Sequence, residues 1–259
     1  MADYTDDLRL AHVLADTVER VTMPRFRSNE LVVKSKPDMT PVTDADIDAE
    51  ELIRGQLKRA RSRDAVLGEE GGETGGGSRR WIIDPIDGTK NYVRGVPVWA
   101  TLIALYDGED PIVGIVAAPA LGRRWWAAKD AGAYTGRSLS SATRIHVSKV
   151  EKLSDASLSY SSLSGWKDLG KLDAFMGLTE SVWRTRAYGD FWSYMLLAEG
   201  AVDIATEPEL ALYDMGALVP IILEAGGRFT SLDGKDGPWG GNAVATNGLL
   251  HDEVLKALA

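Results

Sequence analysis

The chain has 259 residues, 44% of them hydrophobic and 26% charged, which is enough for a sizeable core in one large domain or two modest ones. It has no cysteine and only three histidines, His12, His146 and His251, far apart in sequence. Disulfides, thiolate nucleophiles and Cys-bound metal are thereby excluded, and a His-rich metal site is disfavoured. A net charge of −9 without any polybasic tract disfavours nucleic acid as a partner. No apolar run reaches the roughly 18 residues of a membrane span, and the acidic start MADYTDDLRL lacks a signal-peptide pattern. A cytoplasmic protein without a membrane partner is expected.

In chain order, residues 4 to 27 carry Leu10, Leu14, Val18 and Val21 at helical spacing. SKPDMTPVT (35 to 43) reads as a Pro-broken, turn-rich connection. A second amphipathic helix follows, with Ile47, Ile53 and Leu57 on it and Thr43 or Asp44 as N-cap. DAVLG (64 to 68) reads as a short strand, and GGETGGG (71 to 77) as a flexible loop. From residue 81 to 147 the signals are strands separated by turns, the spacing of an antiparallel meander.

After about residue 150, strands alternate with predicted helices at 171 to 180, 191 to 199, 214 to 225 and 251 to 258, an α/β pattern. Two packed subdomains are expected: 1 to 148 with an antiparallel sheet, and 149 to 259. The fold class is α+β.

The segment WIIDPIDGTKN (81 to 91) runs an apolar strand into Asp84, then Asp87 and a turn. Asp-Pro-x-Asp-Gly is good turn chemistry by itself. A carboxylate ending a buried strand, however, needs a partner, and no basic residue stands beside it before Lys90. A bound cation would supply the charge. Glu69-Glu70 ends another apolar segment, and Asp214 opens a helix; a solvated loop and an N-cap are the plain readings of these two taken singly. Jointly, oxygen-only ligands suit Mg2+ or Mn2+. The Ile86 carbonyl is available to a metal, and the Gly88 and Thr89 backbone N–H groups to phosphate oxygens.

WIIDPIDGTKN, GEE and YDMGAL…EAGG resemble the signature segments of the inositol monophosphatase superfamily, in order and over nearly the whole chain. The resemblance implies an αβαβα layered sandwich and a Mg2+-dependent, lithium-sensitive phosphomonoesterase, acting on a small phosphate ester as a homodimer. It implies two or three Mg2+ per site, with Mn2+ as a substitute. Position by position, Glu69, Asp84, the Ile86 carbonyl, Asp87 and Asp214 would be metal ligands, with Asp84 bridging two ions. Glu70 would stand just behind them, and Thr89 with Asp44 would orient the attacking water.

Where the inositol enzymes run Gly-Thr-Ala, this chain has Gly189-Asp190-Phe191-Trp192, and Glu207 falls where those enzymes contact an inositol hydroxyl. Two acids beside aromatics suit a cationic substrate. RGVPVWA, RRWWAA and RAYGDFWSY resemble the histidinol-phosphate-cleaving type within the superfamily more closely than the inositol-cleaving type. The plain alternative keeps Asp190 as an N-cap and Phe191 and Trp192 as core. Arg184 and Arg186 are candidates to receive the ester, or a surface pair; Trp125 and Trp126 read as core and surface alternation.

Inositol-1-phosphate, fructose-1,6-bisphosphate and 3′-phosphoadenosine 5′-phosphate are the other substrate expectations. DADID (44 to 48) offers the Asp-x-Asp of haloacid-dehalogenase phosphatases, but it opens a helix instead of ending a hydrophobic strand. A metal-dependent, non-catalytic binding protein is the reading from another functional class.

Overall fold

The computed structural model describes residues 4–36 and 40–259. Residues 1–3 of the acidic start and 37–39 of the predicted connection lie outside the described residues. In chain order the elements are α1 (Thr5–Arg25), β1 (Val33–Ser35), β2 (Pro41–Thr43), α2 (Asp44–Ala60), β3 (Ala65–Gly68), β4 (Gly72–Thr74), β5 (Arg79–Asp87) and α3 (Thr89–Val93). Next come β6 (Ala100–Asp107), β7 (Asp110–Ala118), β8 (Arg123–Ala128), β9 (Gly132–Gly136), β10 (Ala142–Ile145) and β11 (Ser157–Ser159). The chain closes with α4 (Ser164–Asp168), α5 (Leu172–Ser181), β12 (Arg184–Arg186), α6 (Asp190–Ala198), β13 (Ile204–Glu207), α7 (Leu212–Gly216), α8 (Leu218–Glu224), β14 (Arg228–Thr230), β15 (Ala243–Thr246) and α9 (His251–Ala257).

These elements stack in five layers. An eight-stranded sheet runs β10-β9-β8-β7-β6-β5-β3-β4, antiparallel except for the parallel pair β3–β5. Its central strands are apolar on both faces because both are covered. On one face Trp81, Ile83, Ile103 and Leu105 meet Leu14 and Val18 of α1 and Ile53 and Leu57 of α2. On the other, Ile82, Leu102 and Tyr106 meet Met195 of α6, Met215 of α7 and Ile221 of α8. A five-stranded sheet, β12-β11-β13-β15-β14, lies beyond those helices. Its Ala205, Ala243 and Ala245 face them, while Ile204 and Val244 face Phe175 of α5 and Val254 of α9. The strand period of two thus sorts each sheet's side chains between layers, and it turns Asp84, like Ile82, toward α7.

Three local expectations change. GGETGGG does not stay wholly a loop: Gly72–Thr74 pairs antiparallel with β3, Val66 opposite Thr74. The connection over 35 to 43 is flanked by a pair of short strands, with Val33 opposite Thr43. The helix expected over 214 to 225 breaks between Gly216 and Leu218. Pro220 is the cause: it has no N–H for the Gly216 carbonyl four residues earlier, and its ring crowds that carbonyl. The Tyr106 hydroxyl donates to the freed Gly216 oxygen at 3.0 Å.

Candidate active site

The parallel pairing of β3 with β5 sets Gly68 opposite Ile83. Both strands run out at the same edge, and the Glu69 N–H donates to the Ile83 carbonyl at 3.2 Å. The next residue of each strand is an acid, so Glu69 and Asp84 become neighbours. β5 then shifts register against β6 between Asp84 and Asp87. The Ile86 N–H donates to Asp84 Oδ1 at 3.0 Å, and Thr101 Oγ1 donates to the Pro85 carbonyl at 2.8 Å. Those bonds hold the Asp-Pro-Ile-Asp corner as an Asx-type turn.

Gly88 completes that corner with φ of 81°, where a side chain would be strained. A Cβ there would also sit 3.0 Å from the Val98 carbonyl oxygen. Thr89 opens α3, and its hydroxyl donates to the Ile86 carbonyl at 3.0 Å. The first N–H groups of α3 have no intrahelical acceptor.

Asp214 comes in from α7, held by the Ala211 N–H donating to its Oδ2 at 2.7 Å. One oxygen each from Asp84, Asp87 and Asp214 lies within 4.8 Å of the other two. Asp84 is buried and the other two are half-buried. Burial, then the neighbouring acids, drives Asp84 and Asp87 well above the ordinary carboxylate range. Asp214 is pushed up as well, first by burial and also by Glu69 and Asp190. Carboxylates packed this closely stay charged only with a cation among them. The donor set is all oxygen, which suits a hard divalent ion, so the residues fit a metal centre.

Glu69 and Glu70 share the Lys36 ammonium, at 2.6 and 2.7 Å. The Glu69-Glu70-Gly71 turn is itself clamped. Buried Glu50 of α2 accepts from the Glu70 and Gly71 N–H groups at 2.7 and 2.8 Å and is paired with Arg54. Neither Lys36 nor Glu50 was legible as a site residue from sequence spacing.

Two of the expected site residues are not brought in. Asp44 accepts from the Val32 N–H at 3.2 Å and lies 3.9 Å from the Arg25 guanidinium. Beside Glu50, the other inward carboxylate of that helix is Asp46, fully buried, with Oδ2 accepting from Thr43 and Oδ1 without a hydrogen-bond partner among the described residues. Burial pushes Asp46 up to about 6, with Glu69 and Glu70 adding to the rise against the Thr43 bonds. Arg186 is exposed on the edge strand β12, its guanidinium donating to the Thr185 carbonyl at 2.7 Å. It is a surface residue.

A second acidic pair, Asp190 and Glu207, lines one compartment with Asp87 and Asp214. Asp190 takes φ of 48°, a left-handed value unusual for a non-glycine, directly after Gly189, which is the residue preceding the helix. Asp190 is therefore the first residue of α6 and not its N-cap. Its Oδ2 accepts from Asn91 Nδ2 at 2.8 Å. Glu207 ends β13, 5% exposed, and accepts from Ser161 Oγ at 2.6 Å. Ser161 Oγ in turn accepts from the Asp190 N–H at 3.0 Å. Burial pushes Glu207 up to about 8, with Asp190 adding to the rise and Ser161 opposing it.

An open cavity of about 720 Å3 joins the two groups, bordered by Lys36, Glu69, Gly88, Thr89, Asn91, Ser161, Asp190 and Asp214. Phe191 packs on Trp125 in the core at 6.1 Å, and Trp192 leans on Tyr188 at 5.6 Å. Trp125 and Trp126 are both buried, so the expected core-and-surface alternation does not occur. No helix among the described residues is long and apolar enough to cross a membrane.

Comparison with known proteins agrees with this geometry. The family model described as the inositol monophosphatase family matches residues 3–259. The chain is 66% identical to a histidinol-phosphatase of Streptomyces coelicolor, over 100% of this chain and 98% of that one. It is 58% identical to a histidinol-phosphatase of Mycobacterium tuberculosis, over 98% of each. An inositol monophosphatase from Zymomonas mobilis superposes with a TM-score of 0.88 at 32% identity, covering 100% and 99% of the two chains. The layered α+β fold seen here is the one the signature segments implied, and this chain belongs to the inositol monophosphatase family.

Proposed function

We propose that this protein is a Mg2+-dependent phosphomonoesterase that hydrolyses L-histidinol phosphate to L-histidinol and phosphate, as a step of histidine biosynthesis. The observation that carries the substrate choice is the pair of acids beyond the phosphate pocket. The Asp190 backbone N–H and the Glu207 carboxylate both bond to Ser161, and neither acid forms a salt bridge among the described residues. A substrate with an ammonium and an imidazole N–H gains from two desolvated carboxylates far more than a neutral polyol does. The names of the relatives at 66% and 58% identity support the same substrate.

Asp84, Asp87 and Asp214, with Glu69 and the Ile86 carbonyl, would hold two or three Mg2+, and Mn2+ would substitute. Bound Mg2+ supplies positive charge to the phosphate and makes water a stronger acid at neutral pH. The Gly88 and Thr89 N–H groups hold phosphate oxygens. Thr89 gives its own hydroxyl proton to the Ile86 carbonyl, so its lone pairs accept from the attacking water. Asp46, through the Oδ1 that has no partner among the described residues, orients that water where the sequence pointed to Asp44, and takes its proton. Glu70, locked by Lys36 and the Glu50 clamp, fixes the position of Glu69. Water oxygen bonds to phosphorus as the ester P–O bond breaks, and the departing alkoxide gains a proton to leave as the alcohol. Two sheets lying on either side of residue 150 support two packed subdomains, and the same reading takes the protein as a cytoplasmic homodimer.

The test is phosphate release from histidinol phosphate, inositol-1-phosphate, fructose-1,6-bisphosphate and 3′-phosphoadenosine 5′-phosphate, with and without Mg2+. We expect Mg2+-dependent turnover with kcat/KM for histidinol phosphate about 100-fold or more above the others. A higher value for inositol-1-phosphate overturns the substrate, and no release from any ester overturns the catalytic reading.

A further inference from the structure

We propose that a small compartment behind the main cavity seats the imidazole ring of the substrate, and that the Tyr194 hydroxyl is the hydrogen-bond partner of one ring nitrogen. This rests on the histidinol phosphate reading and adds a specificity-determining residue to it.

The compartment has a volume of about 170 Å3 and is walled by Asp87, Ser161, Asp190, Phe191, Tyr194 and Glu207. An imidazole ring fits within that volume. It shares Ser161, Asp190 and Asp214 with the main cavity. A substrate whose phosphate sits over Gly88 can therefore reach it with its far end.

Tyr194 is 1% exposed, and its hydroxyl has no hydrogen-bond partner among the described residues. A buried hydroxyl left unpaired is costly. The other two fully buried tyrosines avoid that cost: Tyr92 donates to the Thr22 carbonyl at 2.7 Å and Tyr106 to the Gly216 carbonyl at 3.0 Å. Tyr194 stands apart from them, and it stands at a cavity. A tyrosine hydroxyl keeps its proton at neutral pH. It is thus an O–H donor among acceptors.

The other polar groups of the wall leave that role to it. Ser161 has given its proton to Glu207 and accepts from the Asp190 N–H. Asp190 and Glu207 offer carboxylate oxygens. A neutral imidazole has one N–H donor and one bare nitrogen acceptor. The N–H meets Glu207, and the bare nitrogen meets Tyr194. The substrate ammonium then remains for Asp190, nearer the mouth. Phe191, on the same wall, supplies an apolar surface for the ring. A polyol phosphate has no flat acceptor to place there, so Tyr194 discriminates by leaving such a substrate with an unpaired hydroxyl.

The test is Tyr194→Phe in the Mg2+-loaded full-length enzyme, which keeps the ring and its packing. The expected result is a five- to tenfold rise in KM for histidinol phosphate. Its kcat stays within about twofold, as does kcat/KM for glycerol 2-phosphate, which has no ring. An unchanged KM, or equal losses on both esters, overturns the assignment. Ring-15N-labelled L-histidinol bound to the wild-type enzyme gives a second readout that needs no variant. Two separate ring-nitrogen resonances, one of N–H type and one hydrogen-bonded acceptor, are expected. A single tautomer-averaged pattern like that of free histidinol overturns the inference. If wild-type enzyme fails to cleave histidinol phosphate, the functional reading itself falls. If it cleaves but the variant behaves identically, only the role of Tyr194 falls.

Discussion

Asp87 Oδ2 accepts a hydrogen bond at 2.8 Å from the backbone N–H of Phe191, across 104 residues of chain. One residue earlier, Asp190 is bound by the Asn91 amide, which also donates to the Val98 carbonyl at 2.9 Å. These bonds tie the Asp-Pro-Ile-Asp corner of β5 to the start of α6. The Asp84–Asp87–Asp214 cluster and the Asp190 carboxylate are thus set at a fixed separation. Asn91→Ala removes the amide that orients Asp190. We expect KM for histidinol phosphate to rise about five- to tenfold with little change in kcat. Steady-state kinetics check this, and an unchanged KM would mean that Asp190 does not touch substrate.

Asp84→Asn and Asp214→Asn each take a charge from the cation cluster. Activity is expected to fall by about 1,000-fold or more, because the phosphate dianion then meets an incomplete set of metal ligands. Stability of the metal-free protein should go the other way. Removing one of several mutually repelling buried acids relieves the metal-free fold, so its Tm in chelator should hold or rise. A variant that loses activity by simple unfolding would show a lowered Tm instead.

Asp44 and Asp46 separate the two assignments on α2. Asp46→Asn should cost about 100-fold or more in kcat, the usual worth of a positioned base, while Asp44→Asn should cost less than about fivefold. Asparagine keeps an oxygen for the Thr43 N–H, so the helix start survives. The reverse ranking would restore Asp44 as the water-orienting residue.

The metal-free protein should lose stability as pH rises above 6.5. Asp46 and Glu207 are lifted from 3.8 and 4.5 to about 6 and about 8. Their native forms therefore bind protons that the unfolded chain has released. That contribution is complete below the unfolded values and is lost as pH climbs through the folded ones. His12 and His251 have the opposite sign, both lowered from 6.5 to about 4 by burial first and then by a nearby arginine. Their effect is confined to pH 4 to 6.5 and leaves the upper window to the acids. Calorimetry in chelator should show Tm falling between about pH 6.5 and 8.5, and Glu207→Gln should flatten that fall. Saturating Mg2+ should raise Tm more at the upper pH than at the lower.

Much of this site was legible because strand and turn chemistry is local. An apolar β5 ending on Asp84, and Gly88 where φ must be positive, follow from short-range rules. The change of pattern near residue 150 marked where a meander gives way to strands alternating with helices, while the layering came only with the family resemblance. What escaped needed direction or partners. Asp46 shares the inward stripe with Glu50, Ile53 and Leu57, and the Thr43–Asp46 capping box fixes the phase of α2. That periodicity held the signal, but the nearer Asp44 drew the assignment. Arg184 and Arg186 fall on one face of β12, half-buried and exposed respectively, and spacing alone does not show what covers that face. The β4 pairing of Gly72–Thr74 rests on backbone bonds, with no side-chain pattern to announce it. Ser161 and Tyr194 lie on elements whose meeting no local pattern encodes.

The most direct test of the central claim is an anomalous-difference map from a crystal soaked in Mn2+. The account predicts at least one strong peak about 2.0–2.3 Å from carboxylate oxygens of Asp84, Asp87 and Asp214, with Glu69 turned from Lys36 toward it. A map with no peak among those acids, from crystals whose protein is folded and ordered there, would contradict it.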